Sequence, residues 1–186
     1  MPLTEPAGTP SQRLFFALWP DPATREALSR VQRDLGDAGG RRLHPEDLHI
    51  TLVFLGQVSD RQMPCVLAAA EQVCAAPHTM TLTRQGWWRG PRVAWCAPDE
   101  TPAPMLDLVD QLWNGLAGCG FEREARPFRP HVTLLRKARH VDTAPLADPF
   151  SWELKDFVLV TSLPGPGAPR YKVLHRWPLR SDVLSG

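Results

Sequence analysis

The stretch RPFRPHVTLLR, residues 126–136, predicts a half-buried β-strand that presents a histidine and a hydroxyl group on one face. Its two prolines keep the residues before the strand in extended conformations, and Val132 and Thr133 favour strand structure. Alternate side chains of a strand share a face, so His131 and Thr133 point one way while Val132 and Leu134 point the other. The apolar side should enter the core, and the imidazole and hydroxyl should face whatever lies opposite.

The same pattern occurs earlier in the chain, where residues 49–55 read HITLVFL. A single His-x-Thr strand is a weak signal. Two copies that each place His and Thr on one strand face, and that are each followed by a leucine, indicate a common function. An apolar strand, a Pro-Asp pair and a helical stretch precede each copy, at residues 13–48 and 92–130. We therefore expect one strand–helix–strand unit that is used twice.

Local patterns predict the rest of the scaffold. Helices should begin at Asp21, where Pro22 follows, at Ser59 or Asp60, and after Thr101. The predicted strands outside the two motifs are 13–19, 79–88, 92–97, about 152–161 and 171–177. Residues 1–12 are expected to be a disordered N-terminal tail, and residues 13–186 a single domain with its own core.

Composition is that of an ordinary soluble globular protein, with 43% hydrophobic and 22% charged residues. The net charge of +1 excludes a strong overall basic field that would hold a long nucleic acid, so any polynucleotide should be gripped at one end. The apolar runs are too short to span a bilayer, and the first twelve residues lack the apolar core of a signal peptide. We expect no membrane contact and a cytoplasmic location.

The four cysteines lie in apolar segments and show no C-x-x-C spacing; they are Cys65, Cys74, Cys96 and Cys119. This distribution predicts buried free thiols, which suit a reducing cytoplasm.

Several familiar chemistries are disfavoured. The loop Gly165-Pro166-Gly167 lacks the lysine and the following helix of a phosphate-binding P-loop, and no G-x-S-x-G motif indicates a serine hydrolase. No H-E-x-x-H motif or close His/Cys/Asp cluster indicates a metal, so we expect neither metal nor cofactor. The remaining histidines are interpreted as turn, surface or structural residues; they are His44, His78, His140 and His175.

Two facing histidines supply a general base and a general acid near neutral pH, because one imidazole accepts a proton while the other donates one. Thr51 and Thr133, each two residues after its histidine, share the histidine's face and can donate to phosphate oxygens. Strand parity puts Arg129 on the face of His131, where it could stabilise negative charge. Phe15, on a predicted central strand, is interpreted as plain core, with the alternatives that it forms a wall of the site or stacks on a base.

The segments LFFALWPD, HPEDLHITLVFLG and RPFRPHVTLLR resemble the 2H phosphoesterases, and in particular the bacterial LigT/ThpR branch of RNA 2′,3′-cyclic phosphodiesterases, once named 2′-5′ RNA ligases. The resemblance spans roughly Arg13 to Leu179. It implies an α+β fold of two pseudo-symmetric lobes, each an antiparallel sheet backed by helices, with the active-site cleft between them.

The resemblance also implies a function: metal-independent hydrolysis of an RNA or nucleoside 2′,3′-cyclic phosphate to a 2′-phosphomonoester. His49 would be the acid that protonates the departing O3′, and His131 the base for water; the sequence alone does not order these roles. The resemblance points to Arg136 rather than Arg129 as the arginine that stabilises the phosphate charge. Strand parity puts Arg136 on the face opposite to His131, unless the strand ends or bulges there. We expect a monomer whose partner is an RNA end or a small cyclic nucleotide.

Two other functions stay open. The chain could cleave or join 2′-5′ RNA linkages with the same residues, or it could be a nucleotide-binding module with little turnover. Turnover of an oligonucleotide that ends in a cyclic phosphate separates the binding module from both enzymes.

Overall fold

The computed structural model describes residues 11–181, and these residues form nine strands and three α-helices. The strands are β1 (Ser11–Leu18), β2 (Arg41–Arg42), β3 (Ile50–Ser59), β4 (His78–Trp88), β5 (Val93–Ala97), β6 (Val132–Arg136), β7 (Ala144–Leu154), β8 (Asp156–Ser162) and β9 (Tyr171–Pro178). The helices are α1 (Pro22–Asp34), α2 (Met63–Glu71) and α3 (Ala103–Ala117). Within this described range, the helices are all too short or too polar to cross a membrane.

The strands form one antiparallel sheet in the order β7-β4-β5-β6-β3-β1-β8-β9, with β2 paired to β6. The centre of this order is the junction between β3 and β6, where Ile50 lies opposite Val132. Outward from the junction, β1-α1-β3 on one side corresponds to β5-α3-β6 on the other. The mixed α/β architecture and the twice-used strand–helix–strand unit are therefore confirmed. That the two halves form separate lobes about a cleft stays a prediction.

The main core covers the face of the sheet that carries Ile50 and Val132, both fully buried. On the opposite face, a small cluster around Phe15 and Ala17 packs beside the N-terminal end of β3. β1 is thus buried on both faces, as its apolar sequence predicts, because the main core packs on one face and the Phe15 cluster on the other.

The start of the first helix agrees with the sequence. The Asp21 carboxylate accepts a hydrogen bond from the Thr24 backbone N–H at 2.8 Å, and Pro22 takes the first helical position. The second helix begins later than predicted, at Met63, because β3 continues to Ser59, which pairs with Ser11.

Two boundary predictions are wrong. β1 begins at Ser11 and so extends two residues into the predicted tail, where ladder hydrogen bonds to β3 hold it; residues 1–10 lie outside the described residues. The predicted strand at about 152–161 is two strands separated at Lys155, since β7 pairs with β4 on one flank of the sheet and β8 pairs with β1 on the other.

The prediction of four free thiols is wrong for two of them, because Cys65 and Cys119 form a disulfide with a Cα–Cα separation of 5.7 Å. α2 packs closely on α3, where a Cβ at Gly115 would lie 3.0 Å from the Cβ of Ala69. This packing brings together cysteines that are 54 positions apart, a proximity that sequence spacing does not reveal. Cys74 and Cys96 lie outside the disulfide.

Candidate active site

The pairing of β3 with β6 brings the two sequence motifs together. Ile50 lies opposite Val132, and in an antiparallel ladder the flanking positions then face each other crosswise. His49 is therefore beside Thr133, and Thr51 is beside His131. Because Ile50 and Val132 enter the core, these four side chains lie on the other face, and all four are half-buried. Each histidine thus has the threonine of the opposite motif as its cross-strand neighbour.

His49 is held by hydrogen bonds at both ring nitrogens. Its Nδ1 lies 2.6 Å from the Asp47 carbonyl oxygen, and its Nε2 lies 3.1 Å from Oγ1 of Thr51. A carbonyl only accepts, so Nδ1 carries the proton, and in the neutral ring the Thr51 hydroxyl donates to Nε2. The ring stacks on Trp19 at 5.2 Å between centroids and meets Tyr171 edge-on at the same distance.

This environment lowers the pKa of His49 to about 4. Burial is the largest cause because it penalises the charged imidazolium, and the positive charges of Arg136 and of a protonated His131 add to the effect. The hydrogen bond to the Asp47 carbonyl acts in the opposite direction. In the ligand-free protein, His49 is therefore neutral at pH 7.

His131 has a similar arrangement on the other strand. Its Nδ1 lies 2.8 Å from the Arg129 carbonyl oxygen, and its ring meets Trp88 edge-on at 4.5 Å. Burial, followed by the charge of Arg136, lowers the pKa of His131, while the bond to Arg129 opposes this shift. Both Nδ1 atoms are committed to carbonyl oxygens, so Nε2 is the nitrogen of each ring that can exchange a proton with a ligand.

A β-bulge settles the orientation of Arg136. β5 pairs Ala94 with Leu135 but Trp95 with Thr133, so Leu134 is an extra residue on β6. The extra residue shifts the alternation, and Leu134 and Leu135 are consequently both buried. Arg136 then emerges on the face of the two motifs, where its charge lowers the pKa values of both histidines.

Two cavities adjoin at this face. The His49 cavity, of about 380 Å³, is lined by Arg13, Phe15, Arg41, His49, Thr51, Phe54, Arg136, Ser162, Arg170 and Tyr171. The His131 cavity, of about 470 Å³, is lined by Thr51, Leu52, Phe54, Trp88, Pro91, Glu124, Arg126, Pro127, Phe128, Arg129 and His131. Thr51 and Phe54 line both, so the cavities meet between the two histidines. Thr133 lines neither and lies in the ladder beside His49.

The remaining candidates divide between the two sides. Arg129 is exposed and lines the His131 cavity, so the two arginines proposed from the sequence flank the motifs from different sides. Phe15 is only 3% exposed and belongs to a packed cluster, yet its ring lies 5.0 Å from the His49 ring and lines that cavity. Phe15 is therefore a core residue, and its role as a wall of the site stays a prediction.

Sequence reasoning missed the residues that orient His49. Trp19 and Tyr171 contact its ring, and the Asp47 backbone oxygen accepts a hydrogen bond from its Nδ1–H group. The Asp47 carboxylate is buried and accepts backbone N–H groups of Arg170 at 2.9 Å and Tyr171 at 3.2 Å, which fixes the loop before β9 beside the cavity. The sequence signal that could have indicated this role is the acidic Asp47, which lies two positions before the motif histidine His49. Across residues 11–181, there is no group of three or more His, Cys, Asp or Glu side chains suited to a metal.

Comparison with known proteins gives consistent results. The family model described as the 2′-5′ RNA ligase superfamily matches residues 19–163. A relative from Escherichia coli K12, named RNA 2′,3′-cyclic phosphodiesterase, is 33% identical over 171 residues, which cover 90% of this chain and 97% of the relative. A Thermus thermophilus relative of the same name is 32% identical over 183 residues, 91% of each chain.

The fold is also similar to solved structures. The structure described as E. coli LigT complexed with 3′-AMP has a TM-score of 0.84 and 32% identity, and the alignment covers 91% of this chain and 99% of that one. A structure described as a phosphoesterase has a TM-score of 0.86 and 32% identity over 92% of this chain and all of that one. These matches in sequence and fold extend over nearly the whole chain, which belongs to the 2′-5′ RNA ligase superfamily.

Proposed function

We propose that this chain is an RNA 2′,3′-cyclic phosphodiesterase, which hydrolyses the cyclic phosphate at an RNA end or on a nucleotide to a 2′-phosphomonoester. The observation that carries the proposal is the crosswise placement of His49 with Thr133 and Thr51 with His131 on one face of the sheet. The names of the relatives at 30–33% identity support it.

In the proposed reaction, a water molecule attacks phosphorus in line with the P–O3′ bond. Nε2 of His131 takes a proton from the water as the new P–O bond forms, and Nε2 of His49 gives a proton to O3′ as the old bond breaks. The products are a free 3′-hydroxyl and a 2′-phosphomonoester, and the proton taken up by His131 balances the one lost by His49.

The hydroxyls of Thr51 and Thr133 and the guanidinium of Arg136 stabilise the negative charge on the non-bridging phosphate oxygens. Arg136 is preferred to Arg129 because its charge acts on both histidines and it lines the His49 cavity. Arg129 is proposed as a weaker contact from the His131 side, and Phe15 as a wall that orients His49 and the ligand.

The acid role of His49 depends on the bound phosphate. In the ligand-free protein, His49 has a pKa of about 4 and is neutral at pH 7. A phosphate anion placed against Nε2 favours the imidazolium, because the negative charge stabilises the protonated ring. Substrate binding thus prepares the acid, and the neutral His131 stays available as the base. We propose further that the reaction needs no metal or cofactor and that the protein works as a cytoplasmic monomer, although the Cys65–Cys119 disulfide removes the free-thiol argument for that location.

A second candidate function is cleavage or joining of 2′-5′ RNA linkages, which the description of the matching family favours. The same residues serve, with a 5′-hydroxyl in place of water in the joining direction. The third alternative, a binding module, draws support from LigT structures described as complexes with 3′-AMP, ATP and NADP+.

The decisive experiment is to incubate the protein with a 2′,3′-cyclic nucleotide in EDTA and to identify the product by 31P NMR. We expect the 2′-phosphomonoester, formed at the same rate with or without chelator. A 3′-phosphomonoester, or activity that is lost in EDTA and regained with a divalent ion, would contradict the proposal. Addition of an RNA with a 5′-hydroxyl tests joining, and binding without turnover identifies a binding module.

A further inference from the structure

We infer that a basic groove next to the His49 cavity binds the phosphate backbone of the RNA strand that leads to the reacting nucleotide. An RNA of several nucleotides is then a better substrate than a cyclic mononucleotide, an inference that rests on the proposed function. The basic groove, of about 870 Å³, is lined by five cations, which are Arg41, Arg42, Arg136, Lys137 and Arg170.

The charge of the groove is strongly one-sided. Asp47 is the acidic residue among its lining, and that carboxylate is 2% exposed and already accepts backbone N–H groups. The seven ion pairs found among residues 11–181 include none of the five cations. The whole chain carries a net charge of only +1, so this concentration of unpaired positive charge is local and suits a polyanion.

The groove continues directly from the proposed active site. Arg41, Arg136, Arg170 and Tyr171 line both the basic groove and the His49 cavity. A nucleotide with a 2′,3′-cyclic phosphate is the last of its strand, so the RNA leaves the site only through the 5′-phosphate of that nucleotide. A single track of cations that begins beside His49 therefore matches the geometry of such a strand.

The spaces on the other side of the site are less suited to a run of phosphates. The His131 cavity is lined by the acidic Glu124 as well as by Arg126 and Arg129, and it has aromatic walls. A neighbouring cavity of about 280 Å³ contains Arg84, whose guanidinium lies 3.9 Å from the Asp99 carboxylate. Mixed charge does not favour a run of phosphates, and the aromatic rings favour stacking with a nucleobase. The basic groove is therefore the better site for the phosphate backbone.

The fold holds the walls of the groove in place. β2 pairs Arg41 with Arg136 and Arg42 with Leu135, so two of the cations lie on a strand anchored to β6. A Cβ at Gly40 would collide with the Arg136 backbone oxygen, which shows how closely this segment approaches β6. The opposite wall is the loop before β9, which the Asp47 carboxylate fixes through Arg170.

The test uses a double variant, Arg42→Gln with Lys137→Gln, because these residues line the groove but not the His49 cavity. We expect the variant to bind a 5′-fluorescein RNA hexamer with a terminal 2′-phosphate about tenfold more weakly at low salt, by fluorescence anisotropy. The slope of log affinity against log salt should become less steep by roughly 0.7 for each lost phosphate contact. The matched control, Arg30→Gln with Arg61→Gln, removes two exposed positive charges outside the groove and outside both histidine cavities.

Turnover provides the second readout. The wild-type protein should have a higher kcat/KM for a hexamer ending in a 2′,3′-cyclic phosphate than for the cyclic mononucleotide, and the groove variant should lose only the hexamer advantage. Equal kcat/KM for the two wild-type substrates, or an equal loss of hexamer binding in the control, would overturn the inference. Absence of turnover on both substrates, with hexamer binding still dependent on the groove, would instead contradict the proposed function and leave the groove assignment supported.

Discussion

Ile50 of β3 lies directly opposite Val132 of β6, and both side chains are fully buried. This contact fixes the register of the two central strands, because a slip by one residue would send every side chain of a strand to the other face. The functional consequence is that four polar side chains, two imidazoles and two hydroxyls, share the opposite face without any of them lying in the core.

The first prediction concerns the two motif histidines. His49→Ala and His131→Ala should each lower the rate of cyclic phosphate hydrolysis by about 100-fold or more, because each removes a proton-transfer group. Thermal unfolding should stay cooperative, since the core face of each strand is unchanged. His175→Ala, an exposed histidine on β9, is the matched control and should keep near-full activity. Near-full turnover in either motif variant would contradict the two-histidine mechanism.

The second prediction separates the acid from the base. If His49 protonates O3′ in the substrate complex, His49→Ala should remove the alkaline limb of the kcat profile, and the loss of rate should be smaller on an activated aryl phosphodiester whose leaving group needs no proton. His131→Ala should remove the acid limb and slow both substrates alike. The reverse pattern would exchange the two roles. A kcat that does not vary between about pH 5 and 9 would show that neither histidine limits proton transfer in the substrate complex.

The third prediction links the His49 pKa to stability. The folded value of about 4 is below the unfolded value of 6.5, so between these pH values the unfolded chain binds a proton at this site that the folded chain does not. Acidification from pH 7 to 4.5 should therefore lower the free energy of unfolding through this group by roughly 2–3 kcal/mol. His49→Gln should reduce that pH dependence in urea unfolding measurements. An identical pH dependence in the variant and the wild type would show that the pKa of His49 is not depressed.

The fourth prediction compares the two arginines. Arg136→Gln should lower kcat/KM by about 100- to 1,000-fold, because it removes a positive charge from the developing phosphate charge. Arg129→Gln should have a clearly smaller effect. Since Arg136 lowers the pKa values of both histidines, Arg136→Gln should raise both, as measured by NMR titration of the imidazole protons. A larger loss in Arg129→Gln, with unchanged histidine titrations in Arg136→Gln, would assign the role to Arg129.

The fifth prediction tests the disulfide. Cys119→Ser should lower the free energy of unfolding of the oxidised protein by about 2–4 kcal/mol, because the bond closes a long loop in the unfolded chain. In a reducing buffer, the wild type and the variant should have nearly the same stability, which provides the control. Four titratable thiols after denaturation in urea without a reductant would show that Cys65 and Cys119 are not joined, because denaturation also exposes the buried Cys96.

The sequence by itself determined the local elements and the identity of the central residues. The alternation of His, Ile, Thr and Leu after His49 and its repeat after His131 indicated two half-buried strands with the same polar face, since side-chain direction in a strand depends only on parity. Asp21 with Pro22 likewise marked the start of α1, because capping is a local hydrogen-bond requirement.

Tertiary structure alone decided what depends on contacts between distant segments. The extra residue Leu134 on β6 turns Arg136 toward the motifs, and strict parity cannot anticipate a bulge whose cause lies in the pairing with β5. The disulfide required α2 to pack on α3, and the aromatic rings of Trp19 and Tyr171 around His49 come from segments far apart in the chain. Sequence patterns encode which face a side chain takes, whereas the neighbours it meets there depend on strand order and register.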